Sequence, residues 1–92
     1  MAESDILTVL KIDLQISTDA LDAYLLGLIR AAQAFIVREG IALAETAEDA
    51  ALVEMYAAYL YRKRRDNTAE MPRMLRYALN NRLFSGKAAA HG

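Results

Sequence analysis

The chain has 92 residues, 55% of them hydrophobic, and a formal net charge of −1. That length holds one domain with a modest core, and so small a net charge argues against a dedicated nucleic-acid binder, which is normally basic overall. There is no cysteine, which excludes disulfides and thiolate metal sites. Residues 1–5 lack a signal peptide's basic segment and no apolar run approaches the roughly 20 residues of a membrane span, so a soluble protein of a reducing cytoplasm is expected.

Ser4 is placed to cap a first helix over residues 5–11, with Leu7 and Leu10 facing inward. Ile12, Leu14 and Ile16 then alternate with Asp13 and Gln15. A strand there would have no partner elsewhere in the chain, so an extended connector is expected. The second helix is predicted to start after Ser17 or Thr18 and to end near Glu39. Leu21, Leu25, Leu28, Ile29, Ala32, Phe35 and Ile36 give it one apolar face. Asp19 and Asp22 suit the positive end of its dipole, and Gly40 suits the residue just past its end. Ala23, Gly27 and Ala31 recur every four residues. A mid-helix glycine costs about 1 kcal/mol relative to alanine, so this small-residue line predicts close approach of another helix, of the same subunit in preference to a neighbour.

Thr46 and Asp49 match the spacing that caps a third helix. Leu52, Val53, Tyr56, Tyr59 and Leu60 form its stripe, and the basic run Arg62, Lys63, Arg64, Arg65 closes it at the negative end of the dipole. Asp66, Asn67 and Thr68 make a turn. Pro72 suits the first turn of a fourth helix, where its missing N–H is not needed. Leu75, Leu79 and Leu83 form the buried line of that helix, Ser85 and Gly86 end it, and the rest reads as a tail. The expected fold is all-α: a small four-helix domain, residues 1–86, with a central antiparallel pair of long helices and a flexible tail, residues 87–92. Its core should include Leu25, Ile29, Ile36, Leu52, Tyr56, Leu60, Leu75 and Leu79.

Catalytic chemistry finds little support. The one histidine, His91, falls in the tail, which suits neither a base nor a metal ligand. The carboxylate pairs Glu45/Asp49 and Asp19/Asp22 sit at or near helix N-termini, where acids stabilise the helix. The glycines are scattered, so no phosphate-cradling loop exists. No cofactor, no metal and no enzyme activity are expected. Tyr56 and Tyr59 read as core or semi-core residues with exposed hydroxyls, and Tyr61 and Tyr77 as candidates for surface contact.

Charge is divided along the chain. Residues 1–60 carry three basic side chains against ten acidic ones, a net of −7, and residues 61–92 carry eight against two, a net of +6. Opposite signs on two parts of a small protein suit contact between copies or with a partner of mixed charge. The candidate contact residues are Tyr61, Arg62, Arg64, Arg65, Arg73, Arg76 and Arg82.

Three motifs carry a resemblance. A short opening helix with Leu7 and Leu10 leads through a connector containing Asp13 to a long helix with Leu25, Ile29, Ala32 and Ile36, closed by Gly40. Tyr61 is followed three residues later by Arg64 at the end of the next long helix. Pro72 opens a last helix with Leu75, Leu79 and Arg82. In order and spacing, over about residues 4–83, this resembles the small head–tail connector (adaptor) proteins of tailed bacteriophages and prophages, also labelled putative DNA-packaging proteins. The denser Arg/Lys run and an alanine-rich loop region depart from that pattern. The resemblance implies a non-enzymatic virion component. It would form a ring of copies that joins the portal protein of the head to a tail-side completion protein and extends the DNA channel. Double-stranded DNA would then be a non-specific passenger, no membrane would be involved, and the protein would pass from the host cytoplasm to the virion head–tail junction. The alternative is a small α-helical DNA-binding regulator using its third and fourth helices, against which the long intervening turn and the lack of net basic charge both count.

Overall fold

The computed structural model describes residues 2–91, and for residues 86–91 the backbone alone. Four helices follow one another: α1 (Glu3–Asp13), α2 (Asp22–Arg38), α3 (Ala47–Arg65) and α4 (Arg73–His91). No strand occurs among the described residues. The protein is a small all-α domain.

α1 differs from expectation at both ends. Its N-cap is Ala2, with no side-chain cap, and Ser4 lies inside the first turn, where its carbonyl accepts a bond from the Thr8 hydroxyl at 3.0 Å. Glu3 and Asp5 in that turn supply the negative charge the dipole favours. The inward pair is Ile6 and Leu10, four residues apart, with Leu7 half-buried. Ile12 and Asp13 belong to the helix rather than to an extended connector. The helix closes in a Schellman motif: the Gln15 N–H donates to the Ile12 carbonyl at 3.1 Å and the Ile16 N–H to the Lys11 carbonyl at 2.8 Å. Gln15 takes the left-handed conformation this requires, with φ 59°. Glutamine is not the usual residue there, so the alternating pattern concealed a helix end.

α2 starts at Asp22, after a turn rather than directly after Thr18. Lys11 bridges this turn. Its ammonium pairs with Asp19 at 3.2 Å and Asp22 at 2.8 Å, so Asp19 serves the connection to α1 instead of the first turn of α2. Leu25, Leu28, Ile29, Ala32 and Ile36 are buried. Phe35, from the same predicted face, is partly exposed and stacks on Tyr56 with centroids 6.0 Å apart. Gly40 has φ 101°, the left-handed value expected of the residue past the helix end. The Ala23, Gly27, Ala31 line is overturned as an intrachain contact. Gly27 and Ala23 are exposed, and a Cβ built on Gly27 would have nothing within 4 Å. The other helices approach α2 on its leucine and isoleucine face.

α3 is capped as expected, the Thr46 hydroxyl accepting from the Asp49 N–H at 3.1 Å. It buries Leu52, Val53, Tyr56, Ala57 and Ala58. Leu60 is half-buried rather than core, because it lies about one turn before the helix ends, at the margin of the packed region. α2 and α3 share the most extensive helix–helix contact, and α1 packs on both. Tyr24 near the start of α2 meets Tyr61 near the end of α3, with centroids 6.4 Å apart. α4 packs on α3 through Leu75 and Leu79. Its backbone continues through Gly86, where the sequence suggested an end, to His91. Ala88, Ala89 and Ala90 are the best helix formers, which offsets one glycine. Residues 87–91, expected in a flexible tail, continue the backbone of α4, and Gly92 lies outside the described residues.

Candidate functional site

The basic stretch does not form one surface. Successive residues of α3 turn by about 100°, so residues 61–65 fan out around the helix end. Lys63 folds back, donating to the carbonyls of Asn67 at 2.7 Å and Ala69 at 3.0 Å, and so ties down the turn after α3. Arg62 approaches Asp13 of α1 at 4.0 Å. Arg64 lies over the ring of Tyr24, 5.9 Å from its centroid. Arg65 lies over Tyr61 at 5.3 Å and donates to its hydroxyl at 3.1 Å. An open cleft of about 620 Å³ runs beside them, between the ends of α1 and α3, and is lined by Asp13, Gln15, Tyr61, Arg62, Arg65 and Asp66. Arginine held over an aromatic face keeps its donors available at the surface. Its lining sets Arg62 and Arg65 against the carboxylates of Asp13 and Asp66, so the cleft carries both signs of charge beside the ring of Tyr61.

The α4 residues fare differently. Arg73 is exposed on the first turn. Arg76 pairs with Glu39 at 2.9 Å. Arg82 is mostly buried and donates from Nε to Asp49 Oδ1 at 2.8 Å, from Nη2 to Asp49 Oδ2 at 3.1 Å, and from Nη2 to the Ala42 carbonyl at 2.6 Å. Asp49 also accepts the Ala44 N–H at 2.7 Å. The Arg82 guanidinium, with that N–H, holds the Asp49 carboxyl below its usual range. Arg82 thus clamps α4 to α3 and to the loop before it. Its guanidinium is engaged within the chain.

A carboxyl cluster absent from the sequence reading lies at the α1–α3 contact. Glu54 is buried, and its Oε2 has no hydrogen-bond partner among the described residues. Burial, then the neighbouring Asp13, push its carboxyl up to about 7, against the opposing pull of Arg62. Glu54 also lines an open groove of about 450 Å³ between the N-terminal halves of α1 and α3. Glu54 sits one residue past Val53 on the stripe of α3, a position that reads as solvent-facing unless a third helix covers it. Tyr24, the aromatic platform for Arg64, was likewise missed, because it falls beside the apolar line of α2 rather than on it. Among the described residues no group of three or more His, Cys, Asp or Glu is placed to hold a metal ion, and no helix is long and apolar enough to cross a membrane.

No protein-family model, no curated protein and no solved structure matches this chain.

Proposed function

We propose that this chain is a non-enzymatic structural protein that assembles with copies of itself. In this reading it forms a ring joining the portal of a tailed-phage head to the tail and extending the DNA channel. The observation that carries self-assembly is what remains unsatisfied after the chain has paired its own charges. Arg62, Arg76 and Arg82 reach back to Asp13, Glu39 and Asp49, closing part of the charge division within the subunit. Arg64, Arg65 and Arg73 make no such ion pair among the described residues and lie exposed: Arg64 over Tyr24, Arg65 over Tyr61, and Arg73 next to the exposed Met74 on α4. Exposed apolar groups framed by one sign of charge mark an interaction surface. On an overall acidic molecule, a basic surface fits an acidic surface of another copy. The assignment to a head–tail connector rests on the sequence resemblance. A ring is the closed form of the head-to-tail contact such a surface makes, and a channel wall needs only weak, salt-sensitive contact with the duplex passing through it.

Reversing Arg64 and Arg65 together to glutamate tests the reading. The helical content should stay at the parent level by circular dichroism while the assembled fraction in native mass spectrometry falls, with and without a portal ring. The same change at Lys87 should leave assembly alone. A double reversal that assembles like the parent would reduce the basic cluster to a solvated helix end. The regulator alternative loses support from the structure's use of its cations: Arg76 and Arg82 of the would-be recognition helix are engaged by Glu39 and Asp49.

A further inference from the structure

Two features on opposite sides of α4 and α1 complement one another without meeting. The first is a second apolar stripe on α4. Leu75 and Leu79 face the core, yet Met74 is 79%, Tyr77 58% and Phe84 78% exposed. Their spacing of three and seven residues puts all three on one outward line, and Arg73, four residues before Tyr77, lies beside it. Helices of small domains seldom expose three large apolar side chains in a row. The second is the groove of about 450 Å³ between α1 and α3. Its floor is apolar and shallow, made by Ile6, Val9, Ala47 and Ala51, with Asp5 and Glu45 at its rim and Glu54 buried in its wall. The small side chains of Ala47 and Ala51 leave the room, and the size lies within the usual range of about 300–1,000 Å³ for binding pockets.

We propose that the groove between α1 and α3 of one subunit receives the Met74–Tyr77–Phe84 stripe of α4 from the next subunit, with Arg73 of the incoming helix against the Asp5 and Glu45 rim. This names the contact for the self-assembly read above and rests on that reading. Two observations fix a second copy as the occupant. The groove has a carboxylate at its rim, Asp5, where the stripe has Arg73 beside it, and both are present on this chain. The stripe cannot fill the groove of its own subunit, because Leu75, Leu79 and the Arg82–Asp49 clamp hold α4 with that face turned outward. The contact is therefore between unlike surfaces, the kind that propagates into a ring or a filament. Apolar burial supplies the affinity and the charges set the orientation.

The chain's lack of cysteine makes the test direct. Ala51→Cys places a thiol in the groove and Tyr77→Cys one on the stripe, both at exposed positions. Under mild oxidation a mixture of the two single variants should give disulfide-linked dimers in excess over either variant alone. The double variant should give a ladder of multimers. Gly27→Cys paired with Tyr77→Cys is the control, on an exposed face of α2. Separately, Arg73→Glu should weaken association by up to about fivefold, the effect of one exposed ion pair, and Asp5→Arg on the partner copy should restore it. Association that cross-links as well through Gly27 as through Ala51 would overturn the groove while leaving self-assembly intact. A parent chain that stays monomeric at millimolar concentration would overturn both. Capture of an unrelated helix in the groove with no cross-link between copies would also overturn the proposal.

Discussion

Arg82 and Glu54 are ionisable residues with opposite thermodynamic roles. Arg82 and Asp49 form a buried, doubly hydrogen-bonded pair. Removing one partner leaves the other charge buried and unpaired, so Arg82→Ala should lower stability by about 3–5 kcal/mol, read from urea denaturation. Asp49 has a carboxyl held below its usual range. Its contribution is present above the unfolded-state value and is lost as pH falls through the lower folded-state value. Glu54 runs the other way. Its carboxyl is raised to about 7 from an ordinary 4.5, so the folded state holds a proton that the unfolded state has released. Its contribution is fully present below about 4.5 and lost as pH rises toward 7. Glu54→Gln keeps the shape and removes the titration. The variant should match the parent at pH 4.5 and exceed it in thermal stability at pH 8. Equal melting curves at pH 8 would mean that Glu54 reaches water.

At the level of single helices, the faces follow periodicity and the ends follow local chemistry. Ile29 is fully buried in the middle of α2, and Ile29→Ala should cost about 2–5 kcal/mol. Gly27, two residues earlier, faces open space. Gly27→Ala should therefore stabilise the isolated subunit by about 0.5–1 kcal/mol, measured by chemical denaturation at low concentration. If the same substitution weakens assembly, a neighbouring subunit packs on that line. The core stripes of α2, α3 and α4 were legible because apolar residues recur at helical spacing. The end of α1 was not, since the left-handed residue there is Gln15 rather than glycine, and neither was the start of α2, which follows a bend and turn over residues 18–21.

For the molecule as a whole, the charge division is closed only in part inside one subunit. Among the described residues, Arg62, Arg76 and Arg82 pair back to the acidic part, Lys63 bonds backbone carbonyls, and Arg64, Arg65 and Arg73 remain at the surface. Exposed charges are screened within about 10 Å at 0.1 M salt. Association of copies should weaken as salt rises from 0.05 to about 0.5 M in analytical ultracentrifugation, because charge sets the orientation of the contact. The stability of the subunit should change little over the same range, since its strongest pair is buried. Association that strengthens with salt would mean apolar burial alone governs the contact.

By itself the sequence determined the helix count, the apolar faces of α2, α3 and α4, the Thr46 cap, the Gly40 turn and the division of charge. Each depends on residues close together in the chain, where spacing and dipole chemistry act without reference to the rest of the fold. Only the tertiary structure decided which cations remain at the surface. The Arg82–Asp49 pair spans 33 residues, and Glu54 becomes a buried acid because α1 lies across it. Charge and burial at such positions are set by what packs on them from elsewhere, and no local pattern carries that information.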